Sequence, residues 1–326
     1  MASASPPPAC CDTGRVKVAI TGASGLVGTA LVPALRAAGH DVATLVRRSP
    51  AGEDEIEWHP DAGTIDAARL AGVDAVVHLA GETIGQRWST DARRRILGSR
   101  VDGTGLVART MASLEPRPSV LVQASGVGFY GLGEEPVTEA SPKGAGFAAD
   151  VVEAWEQAAG PAREAGIRVV ALRTAPILDR NEGPVGRMRL PFLLALGGRV
   201  GSGRQWWSWV SLPDVVRAYL YALESDLSGP ANVVAGAVTN AEFTKALGLA
   251  LHRPTVLPLP AFAVRLAFGQ MGEELLLGGQ RPLAERLTQT GFAFRDTDLD
   301  QALAAALAPR EEVGHTGRVP DEGGRR

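Results

Sequence analysis

The stretch Thr21-Gly22-Ala23-Ser24-Gly25-Leu26-Val27-Gly28 separates an apolar run, residues 16–20, from a segment whose apolar residues recur at helical spacing. This order predicts a strand, a glycine-rich turn and a helix. At such a turn Gly22 permits the tight bend, Gly25 lets the backbone approach a pyrophosphate, and Gly28 lets helix and strand pack closely. The amides at the start of the helix face the anion. The pattern predicts a dinucleotide site that includes Ser24, Leu26 and Val27, and the alternative is a turn that merely tolerates glycine.

The second predicted strand, residues 41–46, ends in two arginines. Folds that prefer NAD place an acidic residue here, about 20 residues past the glycines, to bind the ribose. This chain has Arg47 and Arg48 instead, and two guanidinium groups suit the extra 2′-phosphate of NADP. We therefore expect NADP(H) as the cofactor, unless both arginines are ordinary solvated charges.

Composition narrows the class of protein. The 326 residues carry a formal net charge of −3 and are 45% hydrophobic, which is typical of a globular chain with one large core or two coupled domains. The short basic cluster at residues 93–95 lacks interleaved aromatics, so we expect no nucleic-acid partner. The chain has no run of 18 uncharged apolar residues, and its first residues lack the basic and apolar regions of a signal peptide. We therefore expect no signal peptide, no membrane partner and a cytoplasmic location.

Strands and helices alternate from residue 15 onward, which predicts an α/β fold with a doubly wound parallel sheet. The alternation stops near Asn181, where glycines cluster. The adjacent Cys10 and Cys11 can build neither a long-loop disulfide nor a metal site, and no metal-binding motif occurs elsewhere, so no metal is expected. The predicted organisation is a flexible tail over 1–14, an NADP-binding Rossmann domain over 15–180, a smaller C-terminal α+β substrate region over 181–307 and a flexible tail over 308–326.

Two further segments bear on the dinucleotide site. A predicted strand ends in Leu79-Ala80-Gly81, where small residues let a nucleotide lie across the strand ends. His78 lies inside this strand and is expected to be a core histidine rather than a catalytic one. On the long predicted helix at residues 89–111, Arg100 lies beside the apolar stripe. It either reaches the cofactor phosphates or is a snorkelling side chain.

A series of different short motifs lies along residues 15–307. They are Gly81-Glu82, Arg87-Trp88, Gly98-Ser99-Arg100, Gly126-Val127-Gly128-Phe129-Tyr130-Gly131, Trp155-Glu156, Leu190-Pro191-Phe192, Gly201-Ser202-Gly203-Arg204-Gln205, Ser208-Trp209-Val210 and Gly279-Gln280-Arg281. Together with the glycine stretch, the chain resembles the extended short-chain dehydrogenase/reductase superfamily and, within it, the NAD-dependent epimerase/dehydratase-like "epimerase family" branch. The resemblance implies that Arg47, Leu79, Ala80, Arg100 and Ile177 line the cofactor, and that Pro176 and Ile177 cover the nicotinamide.

That superfamily normally uses a tyrosine with a lysine four residues on, because the lysine lowers the pKa of the tyrosine. No tyrosine of this chain has such a lysine, and the segment Phe147-Ala148-Ala149-Asp150-Val151 occupies the expected position. We predict Tyr130 first and Ser125 second for proton transfer, with Tyr130 alternatively a buried aromatic that closes the nicotinamide pocket. Ser125 can substitute only if the chain bends after the predicted strand at residues 120–124, because neighbouring strand residues face opposite ways.

The resemblance assigns the substrate side to the second region, where three of the six tryptophans crowd beside a glycine loop. Gln205, Trp207 and Trp209 are the substrate candidates, because aromatic side chains can wall a pocket and stack on a planar ligand. A core strand under a lid explains the same cluster equally well.

These observations predict an NADP(H)-binding short-chain dehydrogenase/reductase-like protein that is an oxidoreductase or epimerase-like enzyme on a small hydroxyl or carbonyl substrate. Two alternatives stay open: a non-catalytic NADP(H) redox sensor or scaffold, which the missing Tyr-x-x-x-Lys pair favours, and a sugar-nucleotide epimerase. The identity of the small-molecule substrate and the oligomeric state are not indicated by the sequence.

Overall fold

An eight-stranded sheet lies at the centre of the structure, a computed structural model that describes residues 15–309. The tail predicted over residues 1–14, with Cys10 and Cys11, lies outside the described residues, as do residues 310–326 of the tail predicted over 308–326. The strands are β1 (Lys17–Thr21), β2 (Asp41–Val46), β3 (Glu55–His59), β4 (Thr64–Ile65), β5 (Ala75–His78), β6 (Val120–Gly126), β7 (Pro136–Val137), β8 (Arg168–Thr174), β9 (Ile177–Leu178), β10 (Trp206–Ser211), β11 (Gly229–Val233), β12 (Gly236–Thr239) and β13 (Arg281–Pro282).

The helices alternate with these strands over the first half of the chain. They are α1 (Leu26–Ala37), α2 (Ala67–Leu70), α3 (Thr90–Ser113), α4 (Phe147–Gln157), α5 (Gly160–Glu164), α6 (Gly183–Leu193), α7 (Leu212–Glu224), α8 (Asn240–Leu251), α9 (Ala261–Phe268), α10 (Gln270–Gly272), α11 (Glu285–Gln289) and α12 (Leu299–Leu307).

The order of the central sheet is β11-β8-β6-β5-β1-β2-β3-β4, and every neighbouring pair is parallel except β3 with β4. From β1 the chain first runs outward through β2 to β4 and then returns to β5 on the other side. Ligands of such sheets bind at this switch point, outside the carboxyl ends of the strands. In the register, Thr21 of β1 lies between Leu45 of β2 and His78 of β5. The predicted doubly wound fold is confirmed.

Helices cover both faces of the sheet because its strands are apolar on both sides. Ile20 and Val77 belong to the core that α1 and α7 cover, whereas Val76 and Leu121 belong to the core that α3 and α5 cover. All four side chains are fully buried. Each such side chain contributes about 1.5–3 kcal/mol when it leaves water. The two cores hold the strand ends at the switch point in place.

The predicted boundary at residue 180 does not separate two cores. Strand β11 comes from the region predicted as the C-terminal substrate region, yet it pairs with β8 in parallel. Helix α7 comes from the same region and packs against α1. The pairing of β11 with the central sheet is favourable because β11 covers the backbone groups of β8, which would otherwise form an exposed edge. The Rossmann unit therefore includes residues from beyond position 180.

The remainder of the second region has its own core. Strands β12, β10 and β9 form a three-stranded sheet, and α6, α8 and α12 pack on it. Val185, Trp209, Phe243, Leu247 and Leu303 are buried there. This part of the chain is a small α+β unit. It meets the central sheet beside Ile177, at the edge where the candidate site lies.

Candidate functional site

A cavity of about 240 Å³ opens at the carboxyl edge of β1, between the glycine stretch and the ends of β6 and β8. Its lining comprises Gly22, Gly25, Leu26, Val27, Gly28, Leu79, Ala124, Ser125, Thr174, Ile177 and Tyr219. The tertiary structure thus brings the predicted glycine residues together with Leu79, Ser125 and Ile177, which are far apart in the sequence. Of the predicted glycine-stretch residues, Ser24 alone lies outside this lining and is exposed.

The three glycines are required for different reasons. Gly22 has φ +70°, and a Cβ there would lie 2.9 Å from the Ala80 nitrogen. A Cβ on Gly28 would lie 2.3 Å from the Gly22 oxygen, so the turn itself excludes a side chain. A Cβ on Gly25 would meet only the Gly22 oxygen, at 3.4 Å. Since protein atoms leave room at Gly25, the space is available for a group that approaches the backbone from the cavity.

The start of α1 leaves backbone donors free. Its N-cap residue is Gly25, which supplies no side-chain hydrogen bond, and the first turn has no acidic residue. The first amides of any helix lack partners within the helix. Leu26 and Val27, which begin this helix, line the cavity. Unpaired amides at the positive end of a helix dipole suit a phosphate group, so the residues present fit a dinucleotide pyrophosphate.

Thr21 joins the ends of β1 and β5. Its hydroxyl oxygen accepts hydrogen bonds from the Leu79 nitrogen at 3.1 Å and the Ala80 nitrogen at 3.2 Å, and it lies 2.8 Å from Nδ1 of His78. Because both lone pairs are used, the hydroxyl donates its proton to Nδ1, and Nε2 carries the imidazole proton. Burial, with a smaller effect of Arg100, lowers the pKa of His78 to about 4. His78 is a neutral core histidine that fixes the strand end through Thr21.

The two arginines after β2 have different environments. Arg48 donates two hydrogen bonds to the Glu55 carboxylate, at 2.7 and 2.5 Å. Arg47 is exposed and has no hydrogen bond or ion pair with any residue in the described range 15–309. It follows β2 at the same edge as the glycine turn, because Thr21 is in register with Leu45. Arg47 therefore has a free guanidinium group, whereas the charge of Arg48 is already balanced.

Arg100 lies under the segment that follows β5. Its Nη1 donates to the carbonyl oxygens of Glu82 at 2.8 Å and Ile96 at 3.1 Å, and its Cζ lies 4.8 Å from the Trp155 ring centre. Burial lowers its pKa to about 10, partly offset by Glu82, so it stays protonated at neutral pH. Gly81 passes directly over the guanidinium group, since a Cβ there would lie 3.6 Å from Cζ.

Four residues that were predicted to contact the cofactor lie beside the cavity rather than on it. Arg100, Ala80, Gly81 and Pro176 do not line the cavity. Ala80 is held by Thr21, and the Pro176 carbonyl accepts the Val210 amide at 3.2 Å. Contacts of these four residues with the cofactor stay predictions. In the structure they shape the two segments that flank the cavity.

Tyr130 does not lie on the cavity. Its hydroxyl donates to Oδ1 of Asn232 at 2.7 Å and accepts from Nη1 of Arg173 at 3.1 Å. The side chain is 6% exposed. Burial raises its pKa, although the hydrogen bond from Arg173 acts in the opposite direction. The structure therefore favours the alternative of a buried aromatic over a proton donor that faces the cavity.

Ser125 lines the cavity, but its hydroxyl is not free. Strand β6 continues to Gly126, so the bend required by the prediction is absent and Ser125 stays in register with Arg173 of β8. At the end of the strand Ser125 borders the cavity without a bend. Its Oγ donates to Oε1 of Glu156 at 2.6 Å. Arg173 donates to both carboxylate oxygens of Glu156, at 2.8 and 2.7 Å. Since the Glu156 carboxylate accepts hydrogen bonds from the Arg173 guanidinium as well, the Ser125 hydroxyl is the donor in its bond with Glu156.

The usual tyrosine–lysine positions hold no ionisable group that could replace the pair. Phe147 packs against Trp88, with ring centres 4.8 Å apart, and against the Arg93 guanidinium. Val151 is buried in the same cluster. Glu274 of the C-terminal segment caps α4 by accepting the Phe147 amide at 3.1 Å. This helix start is a packing site rather than an acid–base site.

The predicted substrate residues do not form a pocket wall. Trp209 is 2% exposed in the core of the second region, and Trp207 packs against Phe243 at 5.2 Å. Nε2 of Gln205 donates to the carbonyl oxygens of Val200 at 3.0 Å and Leu276 at 2.9 Å. The position of Trp209 favours the alternative of a core strand, because β10 is the interior strand of the small sheet, and the substrate role of these residues stays a prediction. Gln205 and Trp207 stabilise the same region.

Sequence reasoning missed Ala124, Thr174 and Tyr219 of the cavity lining, and Glu156, which accepts the Ser125 hydroxyl. Glu156 belongs to the Trp155-Glu156 motif, which marked it as part of the resemblance without a role. Tyr219 lies on α7 within an apolar helical stripe and had no signal beyond its hydroxyl. Both reach the site through contacts that are distant in sequence.

Two other kinds of site have no support in the described chain. Within residues 15–309, no cluster of three or more His, Cys, Asp or Glu side chains could hold a metal ion. In the same range, no helix is long and apolar enough to cross a membrane.

Comparisons with known proteins agree with this geometry. A model of the NAD dependent epimerase/dehydratase family matches residues 18–236, and a model of a domain of unknown function (DUF1731) matches residues 259–306. The epimerase family protein ML0860 of Mycobacterium leprae is 44% identical over 296 residues, 90% of this chain and 96% of that protein.

Two solved structures are similar over most of the chain. The crystal structure of the human epimerase family protein SDR39U1 (isoform 2) with NADPH has a TM-score of 0.82 and 34% identity, covering 90% of this chain and 99% of that one. A nucleoside-diphosphate sugar epimerase from Corynebacterium glutamicum has a TM-score of 0.74 and 35% identity, covering 90% of this chain and 58% of the longer one.

Proposed function

Because the chain belongs to the NAD dependent epimerase/dehydratase family, we propose that it is an NADP(H)-dependent oxidoreductase or epimerase-like enzyme that acts on a small hydroxyl or carbonyl compound. The family predicted from the sequence motifs is confirmed. The human relative solved with NADPH supports the cofactor. So does Arg47, whose free guanidinium at the end of β2 suits a 2′-phosphate.

The observation that carries the proposal is the extent of the cavity. It runs from the glycine turn to Ser125, Thr174 and Ile177, which line its other end. A protein that only held the adenine half of a dinucleotide would not need open space at the ends of β6 and β8. When bound, NADP(H) supplies or accepts a hydride, and the space beside Ser125 is where a reacting carbon has access.

Proton transfer in this proposal uses a hydroxyl–carboxylate pair. A substrate hydroxyl gives its proton to Oγ of Ser125 while Ser125 gives its own proton to Oε1 of Glu156, 2.6 Å away. In the opposite direction both protons return. Arg173 holds the carboxylate in position through two hydrogen bonds. The pair replaces the tyrosine and lysine that the chain lacks.

A second candidate function has one observation in its favour. Phe147 and Val151 occupy the dyad positions within an apolar cluster, which suits a protein that binds NADP(H) as a redox sensor or scaffold without turnover. The two candidates differ in a measurable way. The enzyme consumes or produces NADPH in the presence of a substrate, whereas the sensor binds NADPH and NADP⁺ with different affinities and turns over neither.

A substrate panel with matched variants tests the proposal. Absorbance at the nicotinamide band is followed with NADPH and small aldehydes or ketones, and with NADP⁺ and the matching alcohols. Nucleoside-diphosphate sugars are also tested, because the C. glutamicum relative is described as a nucleoside-diphosphate sugar epimerase. We expect Ser125→Ala and Glu156→Gln to abolish turnover while NADPH still binds. Glu153→Gln is the control, because Glu153 lies on the same helix and pairs with Lys143 at the surface. Binding without turnover across the panel would favour the sensor.

A further inference from the structure

Tyr219 lines the cavity beside the glycine turn, although no motif marks it. It lies on α7, and its side chain is 1% exposed. Its hydroxyl makes no hydrogen bond with any residue between 15 and 309. Buried polar groups in folded proteins are almost always hydrogen-bonded. A tyrosine buried to this degree therefore points to a partner that the polypeptide does not provide.

The cavity is where that partner can reach the hydroxyl. Helix α7 packs against α1, and its buried positions Val215, Ala218 and Ala222 lie within the same core as Tyr219. The hydroxyl oxygen is not enclosed by protein atoms, in contrast to the Thr244 hydroxyl, which is enclosed and unpaired. Since Tyr219 lines the cavity together with Gly25 and Val27, a ligand in this cavity is the available acceptor.

The protonation state of Tyr219 determines its role. Burial raises the pKa of the phenol well above its usual value, and no cationic side chain in the described range pairs with it to lower it again. The group stays protonated at every physiological pH, so it donates a hydrogen bond and cannot act as a base. The amides at the start of α1 are donors too. A part of the cavity lined by donors suits an anionic group rich in acceptors.

We propose that the Tyr219 hydroxyl donates a hydrogen bond to a pyrophosphate oxygen of NADP(H), which makes Tyr219 a cofactor-binding residue beside the glycine turn. This inference rests on the proposed function, because it assumes that NADP(H) occupies the cavity. It adds a contact from α7 to the contacts that the turn itself provides. Through it, cofactor binding is linked to the packing of the helix that follows β10.

Equilibrium binding of cofactor fragments tests the assignment. Dissociation constants are measured by calorimetry for NADPH, for 2′-phospho-ADP-ribose, which keeps the pyrophosphate but lacks nicotinamide, and for 2′-AMP, which carries neither phosphate of the pyrophosphate. For Tyr219→Phe we expect roughly 10-fold weaker binding of NADPH and of 2′-phospho-ADP-ribose, because one hydrogen bond to a charged group is lost. Binding of 2′-AMP is expected to be unchanged.

Tyr221→Phe is the matched control, since Tyr221 lies on the same helix and its hydroxyl donates to the Thr290 carbonyl. It should bind all three ligands like the wild type. Without ligand, Tyr219→Phe should melt at or above the wild-type temperature, because the hydroxyl has no partner within the described chain.

The outcomes separate this inference from the proposed function. If the wild type binds no NADPH, the proposed function fails and the Tyr219 contact fails with it. If the wild type binds NADPH and Tyr219→Phe binds it equally well, the Tyr219 contact alone is overturned. A loss confined to NADPH, with 2′-phospho-ADP-ribose unaffected, overturns the pyrophosphate as the acceptor.

Discussion

Arg48 and Glu55 form a two-point ion pair between the end of β2 and the start of β3, with nitrogen–oxygen distances of 2.7 and 2.5 Å. The pair occupies the guanidinium group of one arginine and leaves that of Arg47 free. Two adjacent arginines that look equivalent in the sequence are therefore different in the structure.

From this difference we expect Arg47→Ala to weaken NADPH binding by roughly 10- to 100-fold, because charge-assisted hydrogen bonds to the 2′-phosphate contribute about 1.5–3 kcal/mol. NADH, which lacks that phosphate, should bind almost as before. Arg48→Ala is the control and should change the NADPH dissociation constant little. Fluorescence titration of both cofactors checks this, and an equal loss for NADH and NADPH would refute the 2′-phosphate role of Arg47.

Substitutions at Gly25 and Gly28 should affect different properties, NADPH binding at Gly25 and stability at Gly28. Gly25→Ala should leave the free energy of unfolding nearly unchanged, since its Cβ would meet only one atom at 3.4 Å, and should strongly weaken NADPH binding. Gly28→Ala should destabilise the protein by about 1–3 kcal/mol or more, because its Cβ would lie 2.3 Å from the Gly22 oxygen. Urea denaturation and calorimetry provide the two measurements. A stable Gly28→Ala protein would contradict the packing argument.

His78 should make stability depend on pH. Its pKa in the folded state is about 4, against 6.5 in the unfolded chain, so the unfolded state binds the extra proton between these values. The contribution of neutral His78 to the free energy of unfolding is fully present above about pH 6.5. It is lost as the pH falls toward 4, because protonation of His78 then favours the unfolded chain. The loss amounts to about 3 kcal/mol.

The variant His78→Asn keeps an acceptor for the Thr21 hydroxyl but cannot titrate. Urea denaturation at pH 7 and pH 4 should therefore show a smaller loss of stability for His78→Asn than for the wild type. His59→Asn is the matched control, because the His59 side chain is 42% exposed. The same loss in the wild type and in His78→Asn would show that His78 is not the titrating group.

The buried pair of Arg173 and Glu156 should be more important for folding than any surface pair. Arg173→Met leaves a carboxylate, 13% exposed, without its partner, and we expect a destabilisation of about 3–5 kcal/mol. Lys143→Met removes a surface cation that pairs with Asp150 and Glu153 and should cost less than about 1 kcal/mol. Equal effects of the two substitutions on the urea midpoint would contradict the buried pairing.

How far the sequence predicts the site depends on how local each interaction is. The glycine turn was predictable because its strand, turn and helix are consecutive and each has its own pattern. The direction of the Ser125 hydroxyl could not be predicted outright. The sequence indicated only that a bend at the end of β6 would be needed to turn it toward a substrate. The structure shows no bend, because residues of β6 up to Gly126 pair with β8. That pairing joins segments more than 40 positions apart, and no local pattern specifies it.

The domain boundary was wrong for a related reason. Residues 181–307 break the regular alternation, which correctly indicates a second unit with its own core. The same range also contains β11, which pairs with β8. A strand that returns to an earlier sheet after a long excursion looks locally like any other strand, so its partner cannot be read from its pattern.

By itself, the sequence determined the α/β fold and the family and predicted the place of the dinucleotide, because apolar periodicity and glycine spacing act over a few neighbouring residues. Only the tertiary structure decided which groups are free to meet a ligand. Arg48, Tyr130 and Ser125 have their hydrogen-bonding groups engaged by Glu55, Asn232 and Glu156, whereas Arg47 and the Tyr219 hydroxyl remain without partners in the described chain. Whether a side chain is available depends on contacts between distant segments, and those contacts exist only after the strands and helices have packed.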